Sequence, residues 1–444
     1  MKNGRIYYFI GIGGISMSGL ASYLIGQGNT VFGSDSASGE QVEKLRDIGA
    51  KIATGDEQEE ERFSWILLSD TVVYTDAVSF ENKELVYAKG QGKTILSRAE
   101  LLRAVCQDFS YTVAVAGSHG KTTCTAMCAH VFLRANIPFC SHIGGEDLTL
   151  GNFWRSGNEY FVTEACEYKK NLLKIPATVA VLLNVDRDHM ECYADEVDLQ
   201  NTFRTFCASA KTAVVCLDTQ IASSIPTAIT FSLYEKCADY RAACLRQDGE
   251  RYSFTVVEYG VNVCRIRLKV VGRHNVYNAL AAFAAMRTFG FSAQEIKRGL
   301  EDFQGVKRRF EQVGRYRGAE LVADYAHHPR EIFSVVQTAR RMAMGRLYVV
   351  FQPHTYSRTK ELMDEFVEVL QRIPSLVIYK TFPARESFDA EGDGKRLAEM
   401  VGNCLYVDSA VSLRAWLNST ISEGDFVLFL GAGDIYYLAK YLAR

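Results

Sequence analysis

The sequence predicts an α/β protein of several domains, with a nucleoside triphosphate site near its middle. Three observations carry this. A strand-like run, Tyr111 to Ala116, meets Gly117-Ser118-His119-Gly120-Lys121-Thr122-Thr123 and continues as a helix to Phe132. The first hundred residues alternate strand and helix around a glycine-rich turn at 11–19. From Glu320 the same βα rhythm returns. At 444 residues the chain is long enough for two to four domains of ordinary size.

The central stretch is the most specific. Thr112 to Ala116 are small, β-branched or apolar, which suits a buried strand. Gly117 and Gly120 permit a tight phosphate-cradling turn. Lys121 brings a point charge on a flexible stem, and Thr122 a hydroxyl within reach of a magnesium ion. The amides of the following helix would face the phosphates. The long form of this motif has a glycine six residues before the lysine; Val115 stands there, so the loop is a shortened one.

Composition excludes several classes. The chain is 48% hydrophobic and 23% charged, as in soluble globular proteins, and its net charge of -2 gives no global field for nucleic acid. No apolar run approaches the roughly 20 residues that span a bilayer. Lys2 and Arg5 before an apolar patch imitate a signal peptide, but Gly11, Gly13 and Gly14 end the patch, and a strand is the better reading. The twelve cysteines show no CxxC or zinc-finger spacing and read as small buried hydrophobes in a reducing compartment. A cytoplasmic protein is expected.

The N-terminal part opens with strand Ile6 to Ile10, the turn Gly11 to Gly19, a helix through Leu20 and Leu24, and strand Thr30 to Phe32 ending in Gly33-Ser34-Asp35. This outlines a Rossmann-like βαβ unit with phosphate on the helix start. NAD is one ligand for such a unit and a UDP-sugar another. Asp35 either holds a ribose hydroxyl or caps the next helix. Trp65 to Leu68 is predicted as a strand, Asn82 to Lys89 as a helix, Thr94 to Leu96 as a strand and Arg98 to Val105 as a helix. The acidic run Asp56 to Glu61 reads as a solvated face, and the loop 106–110 as the first boundary.

In the middle part, His142-Ile143-Gly144-Gly145 reads as a turn. Strand Tyr160 to Thr163 ends in Glu164-Ala165-Cys166-Glu167, and strand Val179 to Leu183 in Asn184-Val185-Asp186-Arg187-Asp188-His189. Glu164 and His189 are thus candidate ligands of a nucleotide-bound magnesium or manganese; the alternatives are a helix cap and a core histidine. The segment from Gln220 reads as an accessory antiparallel portion, Arg265 to Val270 as an edge strand, and Ala279 to Met286 as a close-packing helix. In the last third, strands near 321–323, 347–351, 376–379, 404–407 and 426–430 read as a second Rossmann-like domain, with one helix running to Leu370. Seven of the eight histidines, all but His130, are placed in turns or strand ends.

Several stretches together resemble the Mur ligases, ATP-dependent amide-forming enzymes of peptidoglycan precursor synthesis. They are GIGGISMSG at 11–19, GSHGKTT at 117–123, GRHNVYNALAA at 272–282, GVKRRFE at 305–311, DYAHHP, FQPHTYSRT, and GAGD at 431–434. They run in order from end to end. The resemblance implies three domains: 1–107 binding a UDP-sugar, 108–311 a P-loop ATPase-like mixed α/β domain binding ATP, and 312–444 binding an amino acid. The stretches fit best the branch that joins L-alanine to the carboxylate of UDP-N-acetylmuramate through an acyl phosphate.

The resemblance also implies roles. Gly117, Ser118, His119, Gly120, Lys121, Thr122 and Thr123 would hold the ATP phosphates. Thr122 would take one magnesium, and Glu164 with His189 a second. His274 and Asn275 would meet adenine, Arg308 and Arg309 phosphate, and Asp324 the ribose. Gly11, Gly13, Gly14, Ser16, Ser18 and Asp35 would hold the sugar nucleotide. Tyr325, His327, His354 and Arg358 would surround the amino acid. Lys121, Glu164, His189, Arg309, His327, His354 and Arg358 would carry the catalysis. Domain closure, a monomer or weak homodimer, and no nucleic-acid or membrane partner are implied. Two departures stand out: the family's acidic run after the central strand is Glu164-Ala165-Cys166-Glu167-Tyr168-Lys169, and an arginine after the histidine of FQPH is Thr355. They leave open a paralogous ligase with another amino acid or acceptor, or an inert nucleotide-binding homologue. An oxidoreductase would leave the phosphate loop idle.

Overall fold

The computed structural model describes residues 4–55, 58–225, 227–249, 251–384 and 386–444. Lys2, Asp56 and Glu57 lie outside them. Three sheets make three α/β domains.

The first sheet holds β1 (Ile6–Ile10), β2 (Thr30–Asp35), β3 (Lys51–Thr54), β4 (Thr71–Tyr74) and β5 (Thr94–Ser97) in the order β3-β2-β1-β4-β5. All its pairings are parallel. Strand order reverses between β1 and β4, and the crevice beyond their carboxyl ends is where such sheets bind ligands. Trp65 to Leu68 is not a strand. It closes the helix Glu59–Leu68, which buries Ile66, and the fourth strand is β4. The helix Arg98–Cys106 starts from a capping box of Ser97 and Glu100, a pattern that fixes a helix start.

The second sheet has ten strands: β6 (Tyr111–Ala116), β7 (Phe139–Asp147), β8 (Gly151–Arg155), β9 (Tyr160–Glu164), β10 (Val179–Leu182), β11 (Thr212–Cys216), β12 (Ile229–Ser232), β13 (Tyr240–Asp248), β14 (Arg251–Glu258) and β15 (Val261–Val271). Their order is β15-β14-β13-β12-β11-β10-β6-β9-β7-β8. β6 lies between β10 and β9, parallel to both, so the loops after these three strands converge. One expectation is corrected: His142 to Gly145 lies inside β7. The segment from Gln220 is an extension of the same sheet, which β13 joins in parallel through β12 and which β14 and β15 continue as tight hairpins. The first two sheets share one core, which runs from Phe9, Leu20 and Leu102 through Phe109 to Phe161 and Phe203.

β15 is an edge strand, as its alternation predicts. Ile266 and Leu268 are buried while Arg265, Arg267 and Lys269 face outward. The helix Ala293–Asp302 lies alongside: Lys297 Nζ donates to the Arg265 carbonyl at 2.7 Å, and Glu301 Oε1 accepts the Arg267 amide at 2.9 Å.

The third sheet holds β16 (Glu311–Tyr316), β17 (Ala319–Asp324), β18 (Leu347–Phe351), β19 (Leu376–Tyr379), β20 (Leu405–Val407) and β21 (Phe426–Leu430), ordered β16-β17-β21-β18-β19-β20. Only β16 is antiparallel to its neighbour. The helix expected to reach Leu370 is two, Tyr356–Glu361 and Met363–Leu370. The chain divides into two compact units. One takes 305–444 with the short segments 246–252 and 270–274; the other takes the rest.

Candidate active site

In the first unit, the glycine turn follows β1. The amides of Gly11 and Ile12 donate to the Ser34 carbonyl at 2.9 and 3.0 Å. Gly11 has φ +78, and a Cβ there would lie 2.8 Å from Thr75 Cγ2 at the end of β4. Asp35 neither caps a helix nor points away from the turn: its Oδ2 accepts the Gly13 amide at 2.8 Å, while Gly39 caps the next helix. Gly14 caps the helix Ile15–Gly26 with no side-chain hydrogen bond, which leaves first-turn amides for an anion. Ser18 Oγ donates to the Ile15 carbonyl at 3.0 Å.

The phosphate loop is braced from the end of β10. Asn184 Oδ1 accepts the His119 amide at 2.8 Å, and its Nδ2 donates to the His119 carbonyl at 3.0 Å. Ser118 Oγ donates to the Asp186 carbonyl at 3.0 Å, and His119 Nε2 lies 3.2 Å from Asp186 Oδ2. Gly120, at φ +84, caps the helix Lys121–Arg134 without a side-chain hydrogen bond. A Cβ on it would sit 2.5 Å from Asn278 Oδ1, and Asn278 in turn donates to Asn275 Oδ1 at 3.0 Å. Asn278 is therefore a loop neighbour that sequence reasoning passed over. Thr122 and Thr123 are buried in the first turn of the same helix.

Lys121 Nζ donates to Glu167 Oε1 at 2.9 Å and to the Gly117 and Ser118 carbonyls at 2.6 and 3.2 Å. Burial alone would lower its pKa, but the negative charge of Glu167 and its neighbours raises it overall, so the amine stays cationic. Ligand atoms of Glu167, Asp188 and His189 lie within 4.8 Å of one another. Glu167 Oε2 is buried and, among the described residues, without a hydrogen-bond partner. Two carboxylates and an imidazole, with an orphaned oxygen among them, fit a divalent cation. Of the sequence-predicted ligands this cluster includes His189 but not Glu164 or Thr122. Glu164 Oε1 instead accepts the Gly144 amide at 2.6 Å. Glu167 and Asp188 were legible only as neighbours of the expected pair.

In the second unit, the loops after β17, β18 and β21 carry the expected residues. Asp324 is buried and accepts the amides of Phe310 and Ala326, both at 2.7 Å. Burial pushes its carboxyl up to about 6, against the pull of Arg309 and those amides. Arg308 Nη2 donates to the Ala432 and Gly433 carbonyls at 2.9 and 2.7 Å, and the guanidinium lies between the rings of Tyr325 and Tyr436. It braces the GAGD loop. Arg309 Nη1 is 3.8 Å from Glu331. His274 is exposed, with Nδ1 3.3 Å from Ser334 Oγ.

His327 Nδ1 lies 3.0 Å from the Tyr325 carbonyl, and its ring is 5.9 Å from that of His354. His354 stacks on Phe382, and Arg358 Nη1 reaches to 3.4 Å from its Nδ1. Tyr325, His327, His354 and Arg358 thus form a connected group. Thr355 caps the helix Tyr356–Glu361 at φ 66 and ψ 145, a backbone region that belongs to glycine. Glu386 accepts the amides of Tyr356 and Ser357 at 2.6 and 2.9 Å.

Comparison with known proteins covers almost the whole chain. Residues 6–110 match the model of the Mur ligase family, catalytic domain; 115–286 the Mur ligase middle domain; and 308–433 the Mur ligase, glutamate ligase domain. The UDP-N-acetylmuramate–L-alanine ligase of Acetivibrio thermocellus is 40% identical, over 98% of this chain and 95% of that protein. The enzyme of the same name from Clostridium beijerinckii is 38% identical over 98% and 97%. The UDP-N-acetylmuramate-alanine ligase of Thermotoga maritima superposes with a TM-score of 0.85 at 27% identity, covering 99% of this chain and 98% of that one. A murein peptide ligase from Psychrobacter arcticus shares the fold, with a TM-score of 0.77 at 22% identity and the same coverage.

Proposed function

The chain belongs to the Mur ligase family, and we propose that it joins L-alanine to the carboxylate of UDP-N-acetylmuramate at the expense of ATP, in peptidoglycan precursor synthesis. It is a carbon–nitrogen ligase that depends on ATP and a divalent metal, with magnesium the proposed ion. The observation that supports this best is the convergence of Lys121 with Glu167, Asp188 and His189 at the ends of β6, β9 and β10.

The chemistry follows from that cluster. A carboxylate does not react with an amine until its oxygen is made a leaving group. Phosphorylation by ATP does this, giving an acyl phosphate that the alanine amine attacks, with phosphate departing. Lys121 neutralises the β- and γ-phosphoryl oxygens, and the glycine-loop amides orient them. Thr122, Glu164 and His189, joined by Glu167 and Asp188, would hold one or two ions, which would supply positive charge against that developing on the transferred phosphoryl group. Gly11, Gly13, Gly14, Ser16 and Ser18 are the proposed cradle of the sugar nucleotide's diphosphate. Asp35 supports them by holding Gly13. Asn275 and His274 are the proposed adenine contacts and Arg309 a phosphate contact; Arg308 and Asp324 act by holding the loops beside them. Tyr325, His327, His354 and Arg358 are the proposed amino-acid site, where the guanidinium suits the amino acid's carboxylate. The proposed divisions are 1–107, 108–311 and 312–444. Among the described residues no helix is long and apolar enough to cross a membrane, and a cytoplasmic location is proposed.

The test is phosphate release with ATP, magnesium and UDP-N-acetylmuramate across a panel of amino acids, with product mass read in parallel. Release confined to L-alanine, with UDP-N-acetylmuramoyl-alanine as product, is expected. Release with another amine instead would move the substrate, and Lys121→Ala with unchanged turnover would sink the mechanism.

A further inference from the structure

The hairpin β7–β8 sends two polar side chains into the first turn of the helix Ile15–Gly26, inside the first compact unit. Asn152 Nδ2 donates to the Ile15 carbonyl at 2.7 Å and to Ser18 Oγ at 2.9 Å. His142, buried on β7, places Nε2 3.0 Å from both the Ser16 carbonyl and Ser16 Oγ, and Nδ1 3.1 Å from Thr163 Oγ1 on β9. A carbonyl only accepts, so Nε2 carries the proton, and the Thr163 hydroxyl donates to Nδ1. Burial pushes the imidazole down to about 4, which keeps it neutral. Arg98 Nη1 also donates to Ser16 Oγ, at 3.3 Å. Ser16 Oγ thus accepts the Arg98 N–H and lies beside an Nε2 whose one proton serves the Ser16 carbonyl.

The contact is built for this ring. Gly19 faces it across the helix, and a Cβ there would lie 2.8 Å from His142 Cδ2. His142 pairs with Thr163 in the β7–β9 register. Two residues on along β7, the Gly144 amide donates to Glu164 Oε1. One strand thus ties Ser16 in the glycine turn to Thr163-Glu164 at the end of β9.

We propose that His142 is a positioning residue of the ligation, setting the glycine turn, and with it the sugar nucleotide, at a fixed distance from Glu164 and the phosphate loop. The proposal rests on the sugar-nucleotide reading of the glycine turn.

The test compares wild type with His142→Leu, which keeps bulk without hydrogen bonds, His142→Gln, which restores a donor towards Ser16, and Thr163→Val. The assay is phosphate release with ATP, magnesium, UDP-N-acetylmuramate and L-alanine. His142→Leu is expected to raise KM for UDP-N-acetylmuramate about tenfold and to lower kcat by about as much, with KM for ATP and L-alanine within about twofold of wild type. His142→Gln should recover most of the KM. Thr163→Val should act in the same direction, more weakly, and add nothing to His142→Leu in the double variant. If the leucine variant does not fold, the glutamine and valine variants carry the test. An unchanged KM for the sugar nucleotide with only a lower melting temperature, or strictly additive effects, would overturn the positioning role. A wild type that releases no phosphate in response to the acceptor would overturn the ligase reading first, and this role with it.

Discussion

Lys121 and Glu167 form a buried ion pair at the phosphate loop, Nζ to Oε1 at 2.9 Å, with Glu167 only 2% exposed. Oε1 serves the lysine, Oε2 has no hydrogen-bond partner among the described residues, and the carboxylate stands in the cluster with Asp188 and His189. The proposed phosphate-binding cation and the proposed metal site therefore share one side chain.

Glu167→Gln keeps the shape of that side chain and removes its charge. We expect the magnesium concentration for half-maximal phosphate release to rise at least about tenfold, with kcat lowered on the order of a hundredfold. A magnesium titration of both proteins checks it; an unchanged midpoint would remove Glu167 from the metal site.

Gly144→Ala places a methyl group where none fits. The added Cβ would lie 2.6 Å from both carboxylate oxygens of Glu164. Glu164 must swing away, so turnover should fall by about a hundredfold while the melting temperature drops by only a few degrees. Wild-type kinetics in this variant would show that Glu164 has no fixed part in the reaction.

His142 gives the first unit a signed pH dependence. In the fold its pKa is about 4, against an ordinary value of 6.5. Below pH 6.5 the unfolded chain takes up a proton that the folded one refuses, so stability falls as pH drops from 6.5 towards 4. At pH 5 the loss is about 2 kcal/mol. His142→Leu lacks this term. Denaturant unfolding at pH 7.5 and pH 5 should therefore show the gap between wild type and variant narrowing by about that amount on acidification. An equal gap at both pH values would contradict the burial of a neutral imidazole.

Thr355 holds a backbone conformation natural to glycine, at φ 66 and ψ 145. Its hydroxyl accepts the Arg358 amide at a long 3.4 Å, a small compensation. Thr355→Gly should stabilise the second unit by about 1 kcal/mol and raise KM for L-alanine, because the strained turn fixes the bases of His354 and Arg358. Thermal melts and an alanine titration measure the two effects separately.

How far the chain could be read in advance depended on the kind of signal. The strand, glycine turn and helix around Gly120-Lys121-Thr122 were legible because a β-branched run that meets two glycines admits few other local folds. Trp65 to Leu68 misled, since four apolar residues fit a strand as well as the end of a helix; only the packing of Ile66 separates them. The glycines after His142 suggested a turn, yet Gly144 lacks a side chain because a carboxylate stands against it. Glu167 could not be told from Glu164 by spacing. The chain folds back after it through Lys169 and Lys170, both at positive φ, and that reversal decides which carboxylate faces the loop. Arg308 looked like a phosphate ligand by its charge, but its two backbone carbonyl partners come from 124 and 125 residues away, a separation no local pattern encodes.

The edge strand β15 has a consequence for how this chain survives its own synthesis. An exposed sheet edge is a template on which a neighbouring, half-folded copy adds a strand. Here the Arg265 carbonyl and the Arg267 amide are already engaged by Lys297 and Glu301, and the outward positions carry positive charge. Along this stretch of the edge an incoming chain would find those two hydrogen-bonding groups already taken and long charged side chains beside them.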